Sequence, residues 1–210
     1  LERAMDQLDA EWTTLSFDYA WESHVLLENC REGLRRLDDW LGKSSQRELV
    51  GTEVPIKHVF DLPSAMVHVA GSIDRLERDE AGNHIVIDYK TGTRPTKSMN
   101  PHVIQVAIYQ TALAEGCGGR KPADVGPAEL VYLMDEPHKR GGEARVRSIS
   151  PVGDEPWPRG AVLTAAAGFH DWVRYHLDRA ARVVLGAERA AVANHSCQFC
   201  PVRSLSLIHI

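Results

Sequence analysis

The chain has 210 residues, of which 43% are hydrophobic and 25% are charged, and its formal net charge at neutral pH is −5. This length suffices for one domain, or one domain with a small appendage, and for a sizeable buried core. No apolar run approaches the ~20 residues of a membrane span and no signal-peptide pattern is present, so we expect no membrane partner. The negative net charge excludes a nucleic-acid binder that is basic over its whole surface, but it is compatible with a local patch of basic residues. Because the first residue is Leu1 and not Met, we expect the sequence to be a piece of a longer chain.

The N-terminal half predicts two helices followed by three strands. Apolar residues recur at helical spacing over 21–41, which indicates an amphipathic helix, and residues 1–15 resemble the end of another helix. Residues 48–60 and 66–78 alternate apolar and polar side chains, and 84–89 is a short apolar strand. Turn signals rich in Asp, Pro, Gly and Asn join these segments, so we expect an antiparallel meander.

The C-terminal half predicts further helices and strands in alternation. A helix is expected over 102–114, two paired strands over 129–134 and 144–149, and a long alanine-rich helix over 157–188. The order of elements is typical of an α/β sandwich built around one mixed sheet.

Two aspartates lie on neighbouring predicted strands, Asp74 in Gly-Ser-Ile-Asp-Arg and Asp88 in Ile-Asp-Tyr-Lys-Thr-Gly. A hairpin centred near residue 81 places them opposite each other, with Cβ atoms within ~5 Å if they pair directly. Carboxylates this close repel unless a cation separates them, and oxygen-rich sites favour Mg²⁺ or Mn²⁺. Lys90 shares the face of Asp88, where an ammonium can orient a water and stabilise charge on a phosphate. A surface ion pair is the alternative interpretation of Asp-x-Lys alone.

A polar pair follows on the next predicted helix. Gln105 and Tyr109 are one turn apart and share a face. Since this helix follows the strand of Lys90, we expect both side chains to lie over the same site. A half-buried tyrosine beside a solvated glutamine is the alternative.

These three motifs, in this order and spacing, resemble the RecB-type nucleases of the PD-(D/E)XK superfamily. The nearest likeness is to the C-terminal nuclease domains of bacterial helicase–nucleases of the RecB, AddAB and AdnAB kind, over residues 48–203. The resemblance implies a restriction-endonuclease-like α/β core, with a central mixed sheet flanked by helices. It implies that Asp74, Asp88 and the Tyr89 main-chain carbonyl bind Mg²⁺ or Mn²⁺ and that Lys90 is the catalytic lysine.

The same resemblance implies that Gln105 and Tyr109 position the DNA strand. Arg75, Arg94 and Lys97 add positive charge around the hairpin and its following loop. Phosphate contacts dominate affinity for DNA, so we predict these three as DNA-binding residues. Taken singly, a solvated surface is the ordinary interpretation of Arg94 and Lys97.

The sequence departs from the family at a histidine. Such nucleases usually carry a metal-binding His on a helix before the first strand, but His24 is the only histidine there and its surroundings do not match. We expect the true residue to lie upstream of Leu1 and the chain as given to be impaired. Glu53 resembles the family's acidic position on the first strand. We favour an edge-strand charge as its interpretation and rank a role near the metal slightly lower.

The four cysteines are Cys30, Cys117, Cys197 and Cys200. No secretory signal accompanies them, so we favour free thiols and a metal site over disulfides, and a cytoplasmic location. The Cys197–Cys200 pair resembles the C-terminal [4Fe–4S] motif of AddAB-like nucleases, but Ser206 stands where a further cysteine is expected. A complete site needs about four ligands. We therefore predict an incomplete iron–sulfur site here and a cluster in the full-length parent; two free thiols are the alternative.

The resemblance divides the chain into N-terminal helices at 1–46, a nuclease core at 47–190 and a cysteine-containing tail at 191–210. It implies hydrolysis of DNA, with exonuclease action on single-stranded ends, in a helicase–nuclease for double-strand-break repair and recombination. The expected partners are DNA and a helicase motor domain or partner subunit. Two alternatives stay open: a catalytically weak DNA-binding or docking module of that complex, and a stand-alone exonuclease of the CRISPR-adaptation type.

Overall fold

The computed structural model describes residues 1–15, 20–92, 101–117, 119, 121–134, 142–149 and 168–186. In chain order the elements are α1 (Glu2–Trp12), α2 (Ala20–Lys43), β1 (Glu48–Asp61), β2 (Met66–Arg78), β3 (His84–Lys90), α3 (Pro101–Glu115), β4 (Ala128–Tyr132), β5 (Arg145–Ile149) and α4 (Phe169–Val184). The predicted meander and the two later strands are thus confirmed in kind and order. No helix within these ranges is long and apolar enough to cross a membrane.

The five strands form one mixed sheet in the order β1-β2-β3-β4-β5. The first three are antiparallel neighbours, β4 runs parallel to β3, and β5 is antiparallel to β4. A parallel pair needs a long crossover, and α3 lies in the connection between β3 and β4. This crossover brings α3 close to the end of β3.

Both faces of the sheet are covered, which explains the short apolar run of β3. Ile85 and Ile87 pack with Trp40 in the core on the α2 side. Val86 instead belongs to the core on the α3 side, which also contains Val106. Because side chains alternate along a strand, β3 supplies apolar residues to both layers.

The last helix, α4, begins at Phe169 and ends at Val184. The expectation of one continuous helix over 157–188 is therefore wrong, because Gly168 is not helical; residues 157–167 and 187–188 lie outside the described residues. Gly168 is extended and its N–H donates to the Asp171 carboxylate at 3.1 Å, which caps the N-terminus. Gly186 has φ of 79° and its N–H donates to the Val183 carbonyl, as glycines do after a helix end.

A buried ion pair fixes α2 against the sheet. Glu32 and Arg36 are 4% and 2% exposed, and Arg36 Nε donates to Glu32 Oε1 at 3.3 Å. Arg36 Nη1 also donates to the Leu133 carbonyl just after β4, at 3.0 Å. Buried charges are tolerated only when paired and hydrogen-bonded. The pair therefore sets where α2 lies along the sheet.

Substituting Glu32→Ala should destabilise the fold by about 3–5 kcal/mol, because it leaves the buried Arg36 charge without its carboxylate. Arg35 also pairs with Glu32, but its side chain is 49% exposed. Arg35→Ala is therefore the control and should cost less than about 1 kcal/mol. Urea unfolding followed by circular dichroism measures both; equal losses would contradict the argument.

Candidate active site

The β1–β2 ladder is interrupted at Glu53 and Asp74, which lie opposite each other. The pairs on either side of the break are Thr52↔Arg75 and Val54↔Ile73. Glu53 has φ of 48°, in the left-handed region that non-glycine residues seldom adopt. Irregularities of this kind re-aim side chains and recur beside functional sites.

The break changes which residues of β2 face α3. Ile73 and Leu76 both pack in the core on the α3 side. On a regular strand, residues separated by an odd number of positions point to opposite faces. Asp74 lies at the break, and its Oδ2 accepts a hydrogen bond from the Tyr89 main-chain N–H at 2.8 Å. The irregularity therefore delivers the Asp74 carboxylate to β3.

Asp88 and Lys90 project from the same face of β3, as their spacing predicts. Asp74 and Asp88 come directly after Arg75↔Ile87, the last pair of the β2–β3 ladder. Lys90 Nζ lies 2.6 Å from Asp88 Oδ2. Asp88 is only 3% exposed, and this oxygen is buried without an aligned hydrogen-bond donor in the described part of the chain. The structure thus brings Asp74, Asp88 and Lys90 together.

α3 adds the polar pair that its sequence predicts. Lys90 Nζ donates to Gln105 Oε1 at 3.4 Å, and Gln105 Nε2 lies 3.5 Å from the Tyr109 hydroxyl. That hydroxyl packs over Gly71, where a Cβ atom would collide with it. Glycine at this position is thus required by the close approach of Tyr109, which is 8% exposed.

The electrostatics favour a cation. Burial raises the pKa of Asp74, and the negative charges of Asp88 and Glu53 raise it further, against the Tyr89 N–H bond and the Lys90 charge, which lower it. A bound cation would relieve the repulsion between the two carboxylates. Burial also raises the pKa of Tyr89 to about 12, so its hydroxyl stays neutral.

The donor set fits a hard divalent cation. Among the described residues, no group of three or more His, Cys, Asp and Glu side chains is close enough to hold a metal ion. Mg²⁺ commonly uses only one or two carboxylates and keeps several waters, so Asp74 and Asp88 suffice in number and type. A cation at Asp88 would share its carboxylate with Lys90, whose ammonium lies 2.6 Å from Oδ2.

Arg75 does not lie with these groups, contrary to the predicted strip of basic residues. It sits opposite Ile87 in the ladder, on the α2 side of the sheet. Its Nε donates to the fully buried Glu77 carboxylate at 2.5 Å. Beyond the break, Arg75 alternates with Leu76, which faces α3, so Arg75 points to the α2 side. Arg94 and Lys97 lie outside the described residues.

Of the remaining residues considered in the sequence, some lie outside the described residues and others have a defined place in the fold. Cys197 and Cys200 lie outside the described residues, whereas His24 is exposed on α2. Glu53 is on the edge strand, as expected, but its charge acts on Asp74 and it accepts a hydrogen bond from Ser72 Oγ at 3.1 Å. The register of the flanking β1–β2 pairs, which the sequence alone does not give, places Glu53 opposite Asp74.

Comparison with known proteins supplies one family match. A family model described as "PD-(D/E)XK nuclease superfamily" matches residues 1–205. Among curated proteins, no match was found. Eight solved chains match. One of them, the crystal structure of SSO0001, is 15% identical over 99% of this chain and 82% of its own, with a TM-score of 0.47.

Gly71→Ala should cost about 1–3 kcal/mol, the usual penalty for overpacking, because the new methyl group meets the Tyr109 hydroxyl. Adding Tyr109→Phe removes that oxygen and should recover part of the loss. Gly92→Ala is the matched control, since a Cβ there meets nothing within 4 Å. Thermal unfolding of the single and double variants measures the coupling; strictly additive losses would argue against the clash.

Asp74→Asn should stabilise the metal-free protein at pH 7. With its pKa raised above the ordinary value of 3.8, the folded state loses stability as pH rises and Asp74 ionises. The neutral amide avoids that loss, and a gain of about 1 kcal/mol would raise the melting temperature by about 2–4 °C. The difference should shrink as pH falls toward 4.

The control for this experiment is Asp79, whose pKa is lowered by hydrogen bonds from Asn83. Its charged form is favoured in the folded state, so Asp79→Asn should lower the melting temperature at pH 7. Both variants are compared in EDTA by differential scanning calorimetry. A lower melting temperature for Asp74→Asn at pH 7 would refute the assignment.

Proposed function

The chain belongs to the PD-(D/E)XK nuclease superfamily, and from this premise we propose that it is a metal-dependent deoxyribonuclease domain acting at Asp74, Asp88 and Lys90. Its mixed sheet flanked by helices is the restriction-endonuclease-like α/β fold of that superfamily. The observation that carries the proposal is the contact of Lys90 Nζ with Asp88 Oδ2 at 2.6 Å, beside an Asp74 held by the Tyr89 N–H.

Asp74, Asp88 and the Tyr89 main-chain carbonyl would hold Mg²⁺ or Mn²⁺. A bound divalent ion lowers the pKa of a coordinated water and neutralises charge on a phosphate. The hydrogen bond from the Tyr89 N–H keeps Asp74 Oδ2 oriented before any metal arrives. Burial of Asp88 excludes water from one side of the site and strengthens every charge interaction there.

Lys90 would act on the scissile phosphate. Its ammonium lies between Asp88 and Gln105, where it can orient the attacking water and stabilise negative charge that develops on the phosphate oxygens. Water adds to phosphorus, the bond to one ester oxygen breaks, and that oxygen takes up a proton. Gln105 and Tyr109, one turn apart on α3, are placed to position the strand being cut.

The narrower assignments rest on the motif resemblance. It supports exonuclease action on single-stranded DNA ends, within a cytoplasmic helicase–nuclease that processes double-strand breaks. It also supports a [4Fe–4S] cluster in the parent protein, with Cys197 and Cys200 as two of its ligands. Helicase motifs upstream of residue 1 would favour this context, and a nearby start codon would favour the stand-alone CRISPR-adaptation type.

One observation favours the second candidate, a catalytically weak DNA-binding or docking module. Among the described residues, no histidine joins Asp74 and Asp88 in a group able to hold a metal. A site that uses two carboxylates binds metal more weakly than one with a further ligand. Cleavage by the chain as it stands would decide against this candidate.

Asp88→Ala and Lys90→Ala should each reduce cleavage of a labelled DNA strand in Mg²⁺ or Mn²⁺ by at least about 10²–10³-fold, since each removes a charge that acts in the transition state. DNA binding should persist and weaken with salt, because phosphate contacts do not require these residues. Lys57→Ala, on the exposed part of β1, is the matched control and should cut normally. Full activity in both site variants would overturn the mechanism.

A further inference from the structure

Behind the site, on the α2 side of the sheet, lies a group of polar and aromatic side chains that the proposed chemistry does not use. We call this group the rear clamp, and its members are Trp40, Arg47, Arg75, Glu77, Tyr89 and Glu129. We propose that the rear clamp positions Asp74 and Asp88 for metal binding by holding Tyr89, the residue between Asp88 and Lys90, from behind. The inference rests on the proposed function and names further positioning residues for it.

Tyr89 connects the two faces of the sheet. Its main-chain N–H holds Asp74 at the site, whereas its side chain alternates to the opposite face from Asp88 and Lys90. There its ring meets Trp40 edge to face, with centroids 5.7 Å apart at 89°. Trp40 is 7% exposed and is fixed in the core, so the ring of Tyr89 has a rigid neighbour.

The charged members of the clamp surround a fully buried carboxylate. Glu77 is 0% exposed, and its Oε1 accepts a hydrogen bond from Arg75 Nε. Its Oε2 lies 3.5 Å from Arg47 Nη1, and Arg47 Nη2 donates to Glu129 Oε1 at 2.6 Å. The charges of Arg75 and Glu77 both act on the Tyr89 hydroxyl. The tyrosine therefore lies beside an ion cluster that cannot move without exposing a buried charge.

The clamp reaches across the strands that carry the site. Arg75 on β2 and Glu129 on β4 both lie opposite Ile87 of β3, one from each side. Ile87 directly precedes Asp88. Interiors are close-packed and transmit displacements, and residues one layer behind a ligand set its orientation. A loosened clamp should therefore shift Asp88 and the Tyr89 N–H relative to Asp74.

The test is direct binding of Mn²⁺ without DNA, measured from the electron paramagnetic resonance signal of free Mn²⁺. Tyr89→Phe removes only the hydroxyl, and Arg75→Lys keeps the charge but loses the planar fork. Each should weaken Mn²⁺ binding by about 10-fold or more, the usual effect of losing such a partner. Tyr89→Phe keeps the ring against Trp40 and serves if Arg75→Lys fails to fold.

Two controls separate positioning from general stability. Arg78→Lys changes the same residue type on the same strand, in an exposed pair with Glu48, and should bind Mn²⁺ like the wild type. Leu62→Ala opens the core on the α3 side, which contains none of the clamp residues. It should lower the melting temperature and leave Mn²⁺ affinity unchanged.

The outcomes distinguish the two proposals. Loss of Mn²⁺ binding in Asp88→Ala, with wild-type binding in Tyr89→Phe and Arg75→Lys, overturns the rear clamp and leaves the proposed metal site standing. Weakened binding in Leu62→Ala equal to that of Tyr89→Phe also overturns the clamp, since destabilisation alone would explain both. Wild-type Mn²⁺ binding by Asp88→Ala, or none by the wild type, overturns the proposed metal site and the clamp with it.

Discussion

The hydrogen bond from the Tyr89 main-chain N–H to the Asp74 carboxylate joins β2 and β3 where their ladder ends. It links the strand that carries Asp74 to the one that carries Asp88 and Lys90. Beside this hydrogen bond, the negative charges of Asp74 and Asp88 repel each other, and Lys90 supplies the nearby compensating charge. The arrangement is poised for a cation because the Tyr89 N–H holds Asp74 and the Lys90 ammonium holds Asp88 before a cation binds.

Holding the carboxylates ready for a cation has an energetic cost, which appears in the backbone conformation of Glu53 and in the pKa of Asp74. Glu53 adopts a positive φ opposite Asp74, and both leave the β1–β2 ladder. Strained conformations of this kind cost on the order of 1–3 kcal/mol and persist where the surrounding structure enforces them. The raised pKa of Asp74 is the electrostatic counterpart. Apolar cores on both faces of the sheet supply the stability that offsets both terms.

The two faces of the sheet contribute different residues to the site. The α3 face brings Gln105 and Tyr109 over Lys90, with Gly71 leaving room for the tyrosine hydroxyl. On the α2 face, buried Glu77 with its arginines and Trp40 against Tyr89 support the same strands from behind. Because β3 is buried on both sides, residues of both layers pack directly against the strand that carries Asp88.

Much of this could be predicted from the sequence. Periodicity and turn residues determine the meander, the crossover helix and the mixed sheet, since they depend on local patterns with periods of 2 and 3.6 residues. The spacing of Asp74 and Asp88 about the hairpin, and of Lys90 two residues on, determines that these groups meet, because pairing and alternation follow from the chain itself. Only the tertiary structure decided that Arg75 turns to the rear onto Glu77 and that Glu53 faces Asp74. Both depend on which face each strand presents after an irregularity in the ladder, and non-local packing sets that choice.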